Sequence, residues 1–195
     1  MLSRVPGWEV TFVADAVGEK RTDAGSLALT ADATFEQLTD PDIVVVPGGP
    51  GRVLPVGDAR TLDWIRSAHE RARWTTSVCT GALLLGAAGV LVGRKATTHW
   101  MYRDDLAGYG AEVRTERVVV DGDVVTAAGV SSGIDMAIRL VAEAVDPVEA
   151  QMLQLAIEYD PQPPFDAGSP EKADQLVIDG LRARYAAASR ADSSD

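Results

Sequence analysis

The chain has 195 residues, enough for one ordinary domain and too few for two large ones. Hydrophobic residues make up 46% and charged residues 24%, so the chain can bury a core and does not have the composition of a disordered one. A net charge of −11 argues against general nucleic-acid or membrane partners, because an acidic surface repels phosphate backbones and anionic lipids. No apolar run approaches the roughly 20 residues that span a bilayer. The N-terminal MLSRVPGWEV lacks the apolar segment and small-residue cleavage site of a secretory signal. A single cysteine, Cys79, excludes an internal disulfide, and two histidines, His69 and His99, leave too few ligands for a zinc cage. These features imply a cytoplasmic globular protein with neither metal nor cofactor.

In chain order, strand signals alternate with helix signals. Trp8 to Val13 is rich in β-branched and aromatic residues and predicts a strand. Residues 22–35 read as a loop or a short β excursion. Ile43-Val44-Val45-Val46 is apolar at every position, the pattern of a parallel strand covered on both faces, and it stops at Pro47-Gly48-Gly49-Pro50-Gly51. Asp58 to Arg73 predicts a helix with Leu62, Ile65 and His69 near one face. Thr75 to Val78 is the next strand, leading into a small-residue helix from Thr80 to Ala88 with Gly89 as its stop. Val113, Val118–Val120 and Val124–Thr126 suggest three short strands, the last two joined by an Asp121-Gly122 turn. Ser131 and Ser132 are cap candidates for a helix to about Ala144, and Asp146-Pro147 opens another. Asp160 to Phe165 is a proline-rich extended loop, residues 171–188 predict a last helix, and 189–195 a solvated tail. The expected architecture is α/β: one domain over 1–188, a three-layer sandwich around a mainly parallel, doubly wound sheet.

Ser77-Val78-Cys79-Thr80-Gly81 carries the most chemistry. A strand that turns abruptly into a helix puts its turn residue at the carboxyl end of the sheet, where doubly wound folds bind ligands. Gly81 gives clearance for such a turn, and the N–H groups of the helix start favour a thiolate. Two readings of Cys79 stand: a nucleophile, or a buried structural thiol of the kind common in cores. Gly48 and Gly49 follow a buried strand and should share the rim with Cys79, offering peptide N–H groups as an oxyanion hole; alone, such a cluster is an ordinary turn. His99, in Ala96-Thr97-Thr98-His99-Trp100, reads equally as a partner or base for the thiol and as a cap for the following helix. His69, among Glu70, Arg71 and Arg73, reads as a surface residue, and Tyr102-Arg103-Asp104-Asp105 as a solvated helix face.

The run 44–51, the elbow 77–81 and the segment 96–100 resemble the PfpI/ThiJ superfamily of amidotransferase-like, flavodoxin-like folds. Residues 129–135 (GVSSGID) and 158–168 (EYDPQPPFDAG) narrow the resemblance to its isonitrile hydratase, or cyclohexyl-isocyanide hydratase, subgroup. It covers residues 5 to 185. Thr80 discriminates within the superfamily: peptidase-like members place a histidine after the cysteine, and glutamine amidotransferases carry a later His-x-Glu pair, neither of which is present. The resemblance implies attack of Cys79 on the isonitrile carbon, hydration of the adduct and release of an N-substituted formamide. It gives Thr80 the orienting of thiolate or water and the Gly48 and Gly49 amides the polarising of the adduct, and it implies a small-molecule substrate and a homodimer.

The resemblance also implies a further strand and an acidic residue ahead of Trp8, and no Asp or Glu of this chain matches that acid. In the order 2-1-3-4-5 such a strand lies between Trp8–Val13 and Ile43–Val46. Two alternatives belong to other branches of the same fold: glyoxalase- or deglycase-like action on reactive carbonyls, and a non-catalytic redox or ligand sensor built on the thiol. The regulators that share the fold continue into a basic helix-turn-helix, whereas this sequence finishes Ala-Asp-Ser-Ser-Asp.

Overall fold

The computed structural model describes residues 1–22, 25–50 and 56–191; within them the chain forms two units, Met1–Glu158 and Tyr159–Asp195. After a 3-10 turn at Leu2–Arg4, the first unit contains β1 (Val13–Ala14), β2 (Gly18–Arg21), β3 (Ala28–Ala31), β4 (Ala33–Thr34), β5 (Ile43–Val46), α1 (Ala59–His69), β6 (Trp74–Val78) and α2 (Gly81–Ala87). It continues with β7 (Lys95–Ala96), α3 (Arg103–Gly108), β8 (Glu112–Val113), β9 (Val118–Asp121), β10 (Val124–Ala127), α4 (Ser132–Ala144) and α5 (Pro147–Ala156). In the second unit the described helix is α6 (Gln175–Ala191), which starts four residues later than the sequence suggested. The far end of the expected 189–195 tail, residues 192–195, lies outside the described residues, as does Gly51.

The central sheet has the order β5-β6-β10-β9, with β5, β6 and β10 parallel and β9 antiparallel to β10. The two predicted short strands joined at Asp121-Gly122 are this β9–β10 hairpin, with Gly122 at φ 64 supplying the left-handed turn residue. Alternation along each strand sends side chains to opposite faces. Val44, Val46 and Val124 pack with Ile65, Ala68, Leu84 and Leu85 of α1 and α2. On the other face Val125 and Ala127 pack with Met136 and Leu140 of α4. Helices on both faces of a mainly parallel sheet make the three-layer α/β sandwich that the sequence predicted.

Several expectations need correction. Trp8–Val13 is not a strand; only Val13–Ala14 pairs, with Ala33–Thr34, in a separate two-stranded sheet. Trp8 joins Leu2 in packing on the α4 side of the sheet, so its bulk serves a plug rather than a strand face. Val45 is 41% exposed, because β5 is an edge strand of the four-stranded sheet and its second face is incompletely covered there. The expected helix Asp58–Arg73 ends at His69, with Asp58 outside it as the N-cap, its carboxylate accepting from the Thr61 N–H. His69 is half-buried rather than a surface residue, its Nδ1 lying 2.9 Å from Thr75 Oγ1. Ser131 and Ser132 do not cap α4 through their side chains: Ser132 Oγ donates to Gly129 O, and Ser131 Oγ accepts from Arg117. Asp146 does cap α5, accepting from the Val148 and Glu149 N–H groups at 2.7 and 2.9 Å, with Pro147 at the first turn.

Candidate active site

Cys79 occupies the junction between β6 and α2 at φ 58, a left-handed conformation that a non-glycine residue adopts only under constraint. The constraint is visible on both sides of its peptide. The Cys79 N–H donates to the carbonyls of Ala127 and Ala128 at 3.0 and 2.8 Å, tying the elbow to the end of β10. The Cys79 carbonyl accepts from Thr98 Oγ1 at 2.8 Å. Cys79 is a free cysteine and half-buried.

Two glycines let neighbouring backbone close on this turn. A Cβ at Gly81 would lie 2.3 Å from the Val46 carbonyl oxygen, so α2 starts against the end of β5 only because that position is bare. A Cβ at Gly48 would lie 2.7 Å from the Cys79 Cβ and 3.0 Å from the Thr80 N. The 48–49 loop therefore rests directly on the cysteine elbow, as the sequence expected of segments sharing one rim.

Thr80 is 1% exposed, and its hydroxyl is engaged twice with Gly49: it donates to the Gly49 carbonyl at 2.6 Å and accepts from the Gly49 N–H at 3.0 Å. The two glycine amides are thus not equivalent. The Gly49 N–H is spent on Thr80, whereas no hydrogen bond from the Gly48 N–H is found among the described residues.

His99 Nδ1 accepts from the Met101 N–H at 3.4 Å, the capping geometry of the 3-10 turn Trp100–Tyr102. Its ring lies against Gly129, whose Cβ position is 3.2 Å from His99 Cδ2. Burial, with the Arg103 charge adding to it, pushes the imidazole below its ordinary range, and a neutral ring accepting at Nδ1 carries its proton on Nε2. Among the described residues no hydrogen bond joins Cys79 to His99, and no Asp or Glu bonds to the thiol. The residues that the sequence did not single out are Thr98 and the Ala127–Ala128 carbonyls. Thr98 stands in the recognised 96–100 segment, but its role there depends on a contact nineteen positions away.

A cleft of about 520 Å³ beside Phe35, Arg60 and Trp64 does not include Cys79. Glu36 and Arg60 form a two-pronged pair there, at 2.9 and 2.8 Å, which staples the turn after β4 to α1.

The chain is 48% identical over 165 residues to the isonitrile hydratase of Pseudomonas putida, an alignment covering 85% of this chain and 72% of that protein. It is 33% identical to a deglycase of Thermococcus kodakarensis over 123 residues, 62% of this chain and 73% of that one. Among solved structures, a ThiJ/PfpI family protein from Pseudomonas syringae superposes with a TM-score of 0.87 at 42% identity, covering 91% of this chain and 74% of that one. The strained cysteine elbow sits inside residues 1–143, which match the family model described as DJ-1/PfpI, and the chain belongs to the DJ-1/PfpI family.

Proposed function

We propose that the protein is a hydro-lyase that hydrates an isonitrile to an N-substituted formamide through Cys79. What carries this reading is a half-exposed cysteine at φ 58 against the Gly48 loop, in a chain 48% identical to an isonitrile hydratase. The terminal carbon of R–N≡C accepts the Cys79 sulfur, and the thiol proton ends on that carbon, giving a thioimidate R–N=CH–S–Cys. Water then adds across the C=N bond; the C–S bond breaks, the thiol recovers a proton, and R–NH–CHO leaves. The balance is one isonitrile plus one water to one formamide. Covalent catalysis splits a difficult addition into two easier ones.

The residues divide the work. Gly48 supplies an N–H, without a partner among the described residues, for the charge developing on the adduct, and Thr80 fixes that loop through Gly49. His99 presents Nε2–H as a donor from the same region. A homodimer and a cytoplasmic setting complete the reading.

The test is incubation of the purified chain with cyclohexyl isonitrile, following formamide formation, with Cys79→Ala in parallel. Formamide made by the wild type and lost in the variant is expected; a folded wild type that makes none overturns the reading. The deglycase relative supplies the second reading, action on reactive carbonyls. Methylglyoxal consumption by the same preparation, in the absence of isonitrile turnover, would favour it.

A further inference from the structure

The strap Ala96-Thr97-Thr98-His99 passes beneath the cysteine elbow and is held from below. The Thr97 N–H donates to Thr126 Oγ1 on β10 at 2.9 Å, and Thr97, Thr98 and Thr126 are all fully buried. From that anchored position Thr98 Oγ1 donates to the Cys79 carbonyl at 2.8 Å. The only other donor to this carbonyl among the described residues is the Ala82 N–H, at a long 3.4 Å. A trans peptide is planar, with its C=O and the next N–H pointing in opposite directions. Fixing the Cys79 carbonyl on Thr98 therefore fixes the Thr80 N–H on the opposite side, and the Gly48 Cβ position lies 3.0 Å from that nitrogen.

We infer that Thr98 is the positioning residue of the nucleophile: its hydroxyl locks the Cys79–Thr80 peptide and thereby holds Cys79 in its left-handed conformation with the Thr80 amide turned toward the Gly48 loop. The inference rests on the reading of Cys79 as the nucleophile. It assigns to Thr98 no contact with substrate; Thr98 acts through the main chain of Cys79. A left-handed non-glycine residue is strained and persists only where its surroundings over-determine it. Among the described residues the Thr98 hydroxyl makes one of four hydrogen bonds to the main chain of Cys79, the others being the two from the Cys79 N–H and the long one from the Ala82 N–H.

Thr97 provides an internal control. It is equally buried and adjacent, yet its Oγ1 has no hydrogen-bond partner among the described residues, so removing that hydroxyl takes no described bond from the elbow. The experiment compares Thr98→Val, Thr98→Ser and Thr97→Val with wild type in two assays: alkylation of Cys79 by iodoacetamide at pH 7, and turnover of cyclohexyl isonitrile. Thr98→Val is expected to slow alkylation about tenfold and to lower kcat ten- to a hundredfold with KM within twofold. Thr98→Ser, which keeps the donor, and Thr97→Val should both stay within threefold of wild type. Thr98→Val alkylating at the wild-type rate, or Thr97→Val matching its loss, overturns the inference. Should Thr98→Val fail to fold, Thr98→Ala against Thr98→Ser makes the same comparison. Absence of isonitrile turnover in wild type, with alkylation still dependent on the Thr98 hydroxyl, would overturn the proposed reaction and leave the positioning role standing.

Discussion

The Thr80 hydroxyl and the Gly49 peptide hold each other twice, once through the Gly49 carbonyl and once through its N–H. A side chain buried at the start of a helix thereby closes a glycine loop from another strand over Cys79. Thr80→Val keeps the shape and removes both bonds, leaving a peptide with a donor and an acceptor to satisfy. The expected cost is about 1–3 kcal/mol of stability, read from urea denaturation, with a larger fractional loss of isonitrile turnover because the Gly48 amide loses its fixed place. Thr80→Ser should retain most of both. Loss in Thr80→Ser with Thr80→Val near wild type would show that the methyl group, not the hydroxyl, holds the loop.

Gly81 and Gly108 should respond to alanine in opposite directions. At Gly81 the new Cβ meets the Val46 carbonyl at 2.3 Å, and both groups belong to backbone that cannot move without parting α2 from β5. Gly81→Ala is expected to cost about 3 kcal/mol, at the upper end of ordinary overpacking. At Gly108, the last residue of α3, nothing lies within 4 Å and φ is not left-handed, so Gly108→Ala should gain about 0.5 kcal/mol through helix propensity. The two urea midpoints, measured in the same buffer, check the pair.

What the sequence revealed and what it concealed divide along a physical line. Ile43–Val46 and Val124–Thr126 were legible as strands because a run of branched residues, mostly apolar, has few other uses; the second extends one residue further, to Ala127. Asp146-Pro147 was legible as a helix start because capping is a contact between near neighbours. Trp8–Val13 has strand-like residues, but a strand also needs a ladder partner, and most of this segment has none. At the site, the abrupt passage from β6 to α2 marked Cys79, and the glycines marked the loop that rests on it. The commitment of Thr80 to Gly49 and of Thr98 to the Cys79 carbonyl was not legible. Each joins residues 31 and 19 positions apart, and a threonine carries no mark of which carbonyl it will meet.

The Glu36–Arg60 pair should appear in acid unfolding. Two hydrogen bonds from the Arg60 guanidinium, chiefly, lower the Glu36 carboxyl from 4.5 to about 2. A carboxylate depressed in the folded state stabilises fully above its unfolded value, and the contribution fades as pH falls from there toward about 2. Both side chains are exposed, so the effect is small and screened by salt. Glu36→Gln should flatten the stability-against-pH curve over this window at low ionic strength and change little near pH 7. A curve unchanged by the substitution would remove the pair from the acid response.

His99 carries the corresponding prediction near neutrality. Its folded imidazole titrates below the ordinary 6.5 because burial, and secondarily the Arg103 charge, disfavour the cation. The unfolded chain therefore binds the proton first as pH falls below 6.5. Folding loses free energy from there down to the folded midpoint and no further below it, while above 6.5 both states are neutral and the contribution is flat. Protonation also removes the Nδ1 lone pair that accepts from the Met101 N–H, so the cap of the 3-10 turn is lost in the same step. Because the chain has only two histidines, imidazole NMR resolves the two, and His99→Asn assigns them. The expected result is a midpoint below 6.5 for His99 with the proton on Nε2 at pH 7. In His99→Asn, whose amide oxygen can still accept from Met101, stability should lose its His99-dependent slope below pH 6.5. An Nδ1-protonated ring at pH 7 would contradict the capping role and return His99 to the position of a base for Cys79.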